Sequence, residues 1–199
     1  MSKIKLTKNE LKTQKDFLKM YRRYLPTLTL KKQQLQAEIR TIEAKAKVVR
    51  IRRKELEKEF DAWIAVFGER EFFPNDLVSV KNIKRGKGNI AGVTIPIYEG
   101  ADFFIRDYDL FASPLWVDLA SQKLQESLSL DLEARVLDEQ VSLLSKELRT
   151  TTQRVNLFEK VKIPETKENI RKISVFLGDE QVASVVRSKI SKHKIEASV

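Results

Sequence analysis

A heptad repeat of apolar residues in the first third of the chain constrains the fold more than any other feature of the sequence. From Leu35 onward the apolar positions are separated alternately by four and three residues, with Arg53 as the one polar interruption. Spacing of this kind, sustained over several repeats, favours a coiled coil over a merely amphipathic surface helix. A lone helix would leave this stripe in water, so the stripe requires a partner. The apolar residues of this first seam are Leu28, Leu35, Ile39, Ile42, Ala46, Val49, Leu56, Phe60, Trp63 and Phe67.

The last third of the chain carries a second stripe with the same alternation. Its residues are Leu130, Ala134, Leu137, Val141, Leu144, Leu148, Thr151, Val155 and Phe158. Beyond Pro164 the stripe resumes at Ile170, Ile173 and Leu177, displaced by one residue, and Ile163 already belongs to the new phase. Because proline removes an intrahelical hydrogen bond, we expect the seam to slip or kink there.

The two stripes predict a mainly α fold, in which an N-terminal and a C-terminal helix pair antiparallel as a long coiled coil. The expected divisions are an N-terminal helix over 1–67, a middle segment over 68–114, and a C-terminal helix with a basic tail over 115–199. Thr7 is the expected N-cap and Gly68 the expected C-cap of the first helix, with a possible kink near Pro26. About 60 helical residues at 1.5 Å each would span about 90 Å, which predicts a rod.

The middle segment holds most of the glycines and several β-branched runs. Two of these runs flank Arg85-Gly86-Lys87-Gly88-Asn89, which predicts a β-hairpin around those five residues. Ser113 and Pro114 are then the expected cap and first turn of the second long helix.

Catalytic and metal-binding patterns are largely missing from the sequence. The chain has no cysteine and a single histidine, His193, which argues against a thiolate metal site, a disulfide framework or a nucleophilic triad. The Gly86-Lys87-Gly88 run precedes a strand, whereas a phosphate-binding loop precedes a helix. Asp102, Asp107 and Asp109 have aromatic neighbours and favour a packed turn over a cation site. We therefore expect a non-catalytic protein without cofactor or metal, and no stretch is apolar enough to predict a transmembrane helix.

The net charge of +10 is concentrated at the N-terminal end. Residues 1–67 contain 18 Lys or Arg against 8 Asp or Glu, and the rest of the chain is balanced. Such an excess fits nucleic acid, anionic lipid or an acidic protein partner. The basic residues between Lys45 and Lys54 are spread around the helix, which favours solvated or protein-facing charge over a phosphate-binding surface. A basic coiled-coil scaffold, or one that binds nucleic acid, stays open as the alternative.

Three motifs carry a resemblance to a known family. Arg154-Val155-Asn156-Leu157-Phe158-Glu159, followed by Ile163-Pro164, is similar to an R-V-N-x-x-E and I-P signature. The segment Asn89 to Pro96 is similar to a G-V-x-x-P hairpin, and Leu6 to Leu11 resembles an opening T-K-x-x-L. Together these motifs resemble the D subunit of the V-type and A-type rotary ATPases over nearly the whole chain. The segment Leu30 to Leu35 departs from the family pattern, because it lacks a paired K-R.

This resemblance implies a central rotor shaft that couples ATP hydrolysis or synthesis in a catalytic head to ion translocation across a membrane. It implies the A and B subunits of the head, the F subunit of the rotor and a membrane-ring adaptor as partners, with no nucleotide or nucleic acid bound directly. The location implied is cytoplasmic and peripheral to the membrane. Both termini would lie in the head, and the hairpin, Val80 to Pro96, would be an interaction element. The candidate partner contacts are Arg50, Arg52, Arg53, Arg85, Lys87, Arg154, Lys189 and Lys192.

Overall fold

A computed structural model describes residues 4–61, 77–107 and 116–197. Its elements are helix α1 (Lys8–Asp61), strands β1 (Val78–Ile90) and β2 (Val93–Ile105), helix α2 (Trp116–Asn156), a π-helix (Leu157–Lys162) and helix α3 (Ile163–Glu196). The predicted architecture of two long helical arms with a hairpin between them is confirmed.

Helix α1 begins where its sequence provides a cap. The backbone N–H of Glu10 donates to Oγ1 of Thr7 at 3.3 Å, so the predicted N-cap is confirmed. The helix continues through Pro26 without a break in its assignment. Its predicted end near Phe67 and Gly68, and the predicted start of the second helix at Ser113 and Pro114, lie outside the described residues.

The chain divides into two compact units, one formed by Met1–Lys32 with Thr150–Val199 and the other by Gln33–Arg149. In the second unit the apolar stripes of α1 and α2 are turned inward. The fully or largely buried stripe residues there are Leu35, Ile39, Ile42, Ala46, Leu56, Leu130, Ala134 and Leu144. Arg50 contacts Asp138, and Glu59 contacts Lys123. Later residues of α1 therefore meet earlier residues of α2. The two helices therefore pair antiparallel in this unit.

The hairpin is present, but its turn is not where the sequence analysis placed it. Ile90 pairs with Val93, and the turn residues are Ala91 and Gly92, with φ of 51° and 82°. Arg85 to Asn89 lie inside β1, so the prediction of a loop there is wrong. Positive φ at both central positions matches the right-handed twist of the strands, and a turn of this kind needs only two residues. The side-chain oxygen Oδ1 of Asn89 accepts a hydrogen bond from the Gly92 N–H at 3.0 Å and so ties the turn to β1.

The unit that contains both termini has a seam of its own, and a π-helix interrupts it. Tyr21 packs on Phe158 with ring centroids 5.1 Å apart, and Asn169 donates to Gln14. In this unit the side chains of Thr151, Val155, Thr166, Asn169 and Ile173 are buried.

The π-helix explains the displaced stripe beyond Pro164. The N–H of Ile163 bonds to the carbonyl of Phe158, five residues back. A π turn holds one residue more than an α turn needs, so every later buried position moves by one along the sequence. The predicted slip is thus a one-residue insertion in the helix, located just before the proline.

Candidate functional site

Four arginine or lysine side chains bridge α1 and α2 in the unit Gln33–Arg149, and we call these bridges the ion-pair ladder. Nη2 of Arg50 donates to both carboxylate oxygens of Asp138 at 2.6 Å. Nη2 of Arg52 lies 3.0 Å from Oε1 of Glu126. Arg53 pairs with Asp131, and Nζ of Lys123 lies 2.9 Å from Oε2 of Glu59. The hydrogen bond and the charge of Glu59 raise the pKa of Lys123, so this rung persists into alkaline solution.

Arg53 is the rung that interrupts the apolar seam. It lies four residues after Val49 and three before Leu56, where the heptad expects an apolar side chain. Its guanidinium contacts Asp131, whose side chain is only 23% exposed, and also Glu57 in the next turn of α1 at 3.0 Å. A charge at one seam position costs stability, and in coiled coils such polar seam residues help to specify register.

The hairpin packs along the helix pair. Ile95 is buried in one cluster with Leu35, Ile39, Ile42 and Leu144. At the other end Leu77 and Val78 pack with Val117 of α2.

Polar contacts also join the hairpin to α2. The hydroxyl of Tyr98 lies 2.8 Å from that of Ser129, and Nε2 of Gln140 donates to the Pro96 carbonyl at 2.5 Å. Nη1 of Arg85 lies 3.1 Å from Oε2 of Glu139. The hairpin is therefore part of the helical core, and its β-branched residues do not all remain available to a partner.

The remaining candidate contacts lie apart from the ladder. Lys87, Arg154 and Lys189 are exposed, and none forms an ion pair within the described ranges. Lys192 lies 3.6 Å from Glu196 in the following turn of α3. Of the seam residues, Val49, Leu137, Val141, Leu148 and Phe158 are half-buried and Val155 is buried, whereas Trp63 and the side chain of Phe60 lie outside the described part.

The sequence did not predict the ladder acceptors on α2, which are Glu126, Asp131 and Asp138, nor the fourth bridge between Lys123 and Glu59. A signal existed, because Asp131 and Asp138 are one heptad apart on α2, as a repeat-based contact requires. The docking residues Tyr98, Ser129 and Gln140 had no such signal, since single polar side chains have no period.

Within the described residues no group of three or more His, Cys, Asp or Glu could hold a metal ion. Over the same ranges no helix is both long and apolar enough to cross a membrane.

Comparison with known sequences gives the family of this chain. A family model described as the D subunit of ATP synthase matches residues 10–193. The chain belongs to the ATP synthase D-subunit family. A relative from Borreliella burgdorferi, named as the D subunit of a V-type ATP synthase, is 48% identical over 196 residues, covering 98% of this chain and 96% of its own.

A D-subunit relative of the same name from Chlamydia pneumoniae is 35% identical and covers 97% of this chain and 93% of its own. Another from Chlamydia trachomatis is 34% identical, with 98% and 97% covered. The match to the D-subunit family therefore includes the helices, the hairpin and the π-helix together.

Proposed function

We propose that this chain is the central-stalk component of a V/A-type rotary ATPase, where it transmits rotation between a catalytic head and an ion-translocating ring. The observation that carries the proposal is the nearly full-length family match on a helix pair bridged by four ion pairs. In this role the chain is non-catalytic, holds no nucleotide, and sits at the membrane surface only through its partners. Those partners are the A and B subunits of the head, the F subunit of the rotor and the membrane-ring adaptor.

A stalk that carries torque must keep its two helices from sliding past each other. Apolar seams resist separation but tolerate slippage by whole heptads, because each heptad presents a similar surface. Several polar pairs at fixed positions reduce that degeneracy, and the ladder supplies four of them. The hairpin adds a third element docked on the same core.

The nucleic-acid alternative loses support from the same contacts. Arg50, Arg52 and Arg53 belong to the basic run from Lys45 to Lys54 on which that alternative rested, and each contacts a carboxylate of α2. Phosphate binding would have to compete with these intramolecular pairs.

A chemical bridge across the ladder tests the proposed role. Because the chain has no native cysteine, the double variant Arg50→Cys/Asp138→Cys can be linked within one chain by a bifunctional maleimide. The ATPase complex assembled with the bridged chain should keep its ATP-driven ion transport, since both helices turn as one body. The single variants treated with the same reagent are the controls.

Two outcomes would contradict the proposal. One is a chain that fails to purify with the proteins of the head and ring from its native membrane. The other is a bridged chain that assembles normally but loses transport while both control variants keep it.

A further inference from the structure

Helix α1 carries a second heptad stripe, on the side away from its seam. Its residues, which we call the outer stripe, are Ala37, Thr41, Ala44, Val48 and Ile51. Each follows a seam residue by two positions, which places it about 200° further around the helix. All five are exposed, and the side chains of Val48 and Ile51 are 66% and 56% accessible. Val48 and Ile51 are the large apolar side chains of this exposed stripe, and the small side chains of Ala37, Thr41 and Ala44 would let another helix approach closely.

From Arg40 to Lys54 the positions that flank the outer stripe carry one sign of charge, whereas Glu38, at e beside Ala37, is acidic. With Thr41 and Val48 at heptad position a, and Ala44 and Ile51 at d, Arg40, Lys47 and Lys54 occupy g, and Lys45 and Arg52 occupy e. In coiled coils the e and g charges choose the partner and its orientation. Every e and g position from Arg40 to Lys54 is therefore basic.

Most of these flanking charges have no ion-pair partner among the described residues. Arg40, Lys45, Lys47 and Lys54 form no ion pair with any residue that the structure describes. Arg52 differs, since it contacts Glu126 of α2. By contrast, Arg50 and Arg53 of the ladder, in the same turns of α1, both pair with carboxylates of α2.

A groove extends one side of the outer stripe toward α2. It has a volume of about 640 Å³ and is lined by apolar atoms of Ala44, Val48 and Leu137, with Arg40 and Lys45 at its edge. Glu133 supplies the carboxylate of this lining. The groove gives the apolar side chains of a docked helix a place to insert beside Val48.

We propose that the outer stripe binds an amphipathic helix of a partner protein, with apolar a and d residues flanked by Asp or Glu at e and g. A second copy of this chain fits poorly, because paired stripes would bring the same basic residues face to face. The proposal rests on the proposed function only for the identity of the complex that supplies the helix.

Single cysteines in this cysteine-free chain test the surface in the intact complex. Val48→Cys reports on the outer stripe, and Glu43→Cys, exposed at position c of the same turns, is the matched control. In the isolated chain both should react quickly with a maleimide. In the purified complex Val48→Cys should react at least about tenfold more slowly, and Glu43→Cys should change little. Equal reaction of Val48→Cys in the chain and in the complex overturns the proposal and leaves the proposed function standing.

A pair of synthetic peptides tests the charge preference without the complex. Both have three heptads with identical apolar a and d residues, one with Glu and the other with Lys at every e and g. The Glu peptide should bind the full chain more tightly than the Lys peptide by at least about tenfold at low salt. Lys45→Glu/Lys47→Glu should reduce that preference, and Val48→Glu should weaken both peptides, with circular dichroism showing that each variant stays helical.

The two arms separate the possible failures. If the chain does not purify with an ATPase complex, the proposed function fails and the peptide pair alone decides on the outer stripe. No preference for the Glu peptide, or a concentration-dependent dimer protected at Val48→Cys, overturns the acidic-helix proposal.

Discussion

Two glycines of β1 face side chains of β2, and they differ in how much space surrounds them. A Cβ at Gly88 would lie 2.8 Å from Cδ1 and 3.2 Å from Cγ1 of Ile97, and 3.4 Å from Cγ1 of the buried Ile95. A Cβ at Gly86 would meet the exposed carboxylate end of Glu99, which can swing away. The Gly-Lys-Gly run thus serves close packing, where the sequence had suggested a turn.

This difference predicts unequal effects of one substitution at the two sites. Gly88→Val should lower the free energy of opening of the hairpin by about 1–3 kcal/mol, because Ile97 and Ile95 must shift. Gly86→Val should change it by less than about 0.5 kcal/mol, as expected for a surface site. Hydrogen exchange of the β1 and β2 amides measures both. A larger loss at Gly86 than at Gly88 would contradict this account of the packing.

At Arg53 the charge and the apolar seam are in conflict, and a double-mutant cycle with Asp131 resolves their contributions. Arg53→Leu alone should destabilise the helix pair, because among the described residues the partly buried Asp131 then keeps only Arg135 as an ion-pair partner. Arg53→Leu/Asp131→Leu should regain the loss and reach or exceed the stability of the natural chain. Urea unfolding followed by circular dichroism gives the coupling energy, for which we expect about 1–3 kcal/mol. Additive single effects would mean that the pair is not coupled.

At the scale of the elements, the π-helix between α2 and α3 acts as one residue inserted into a continuous α-helix. Removing Lys160 should return the segment to α-helical hydrogen bonding and leave Thr166 and Ile173 facing inward. Pro164→Ala is needed in the same variant, since a proline ring clashes with the carbonyl four residues back in an α-helix.

The matched control removes Arg171 from regular α-helix instead, which rotates the residues beyond it by about 100° away from the seam. The Lys160 deletion with Pro164→Ala should melt within a few degrees of the natural chain, whereas the Arg171 deletion should melt clearly lower. The opposite order would show that the π-helix is not an insertion.

The sequence predicted the helices and strands far better than it predicted the hairpin turn and the discontinuity near Ile163. Heptad spacing identified both seams, and glycines with β-branched residues identified the hairpin. The turn was misplaced because Gly86 and Gly88 resemble turn residues, while Ala91 gives no sign of its positive φ. The displaced stripe at Ile163 marked a discontinuity, but a phase shift alone does not distinguish a kink from an inserted residue.

For the whole molecule, the ladder makes partner contacts and helix pairing hard to separate by single charge reversals. Arg50→Asp removes the contact with Asp138 as well as any contact with another protein of the complex. The exchange Arg50→Asp/Asp138→Arg restores the internal pair with its direction reversed.

If Arg50 serves only the helix pair, the exchange should restore coupled ATPase activity that Arg50→Asp alone reduces. If Arg50 also contacts the head or the small rotor partner, the exchange should leave the activity low while the isolated chain regains its melting temperature. Coupled activity at increasing salt is the measurement, because exposed pairs of this kind are screened. Full coupled ATPase activity of Arg50→Asp alone would contradict both a functional role of Arg50 in helix pairing and a role in contacting a partner.

The candidate site could be predicted only in part, because its arginines form a local run whereas their acceptors are spread over α2. Arg50, Arg52 and Arg53 stood out as a run, but their acceptors lie 74 to 88 residues later. The polar contacts between the hairpin and α2 could not be predicted, because Tyr98, Ser129 and Gln140 come together only after the helices have paired.

One extra residue in the π-helix has a geometric consequence for the far end of α3. Each added residue turns the groups beyond it by about 100° while advancing them by only about 1.5 Å. The direction in which each side chain from Thr166 onward points around the helix axis is therefore set by this one inserted residue, while the length of the helix hardly changes. If the chain is the proposed stalk of a rotary ATPase, an insertion or loss at this point would change the angle at which α3 meets its partners without changing the length of the stalk.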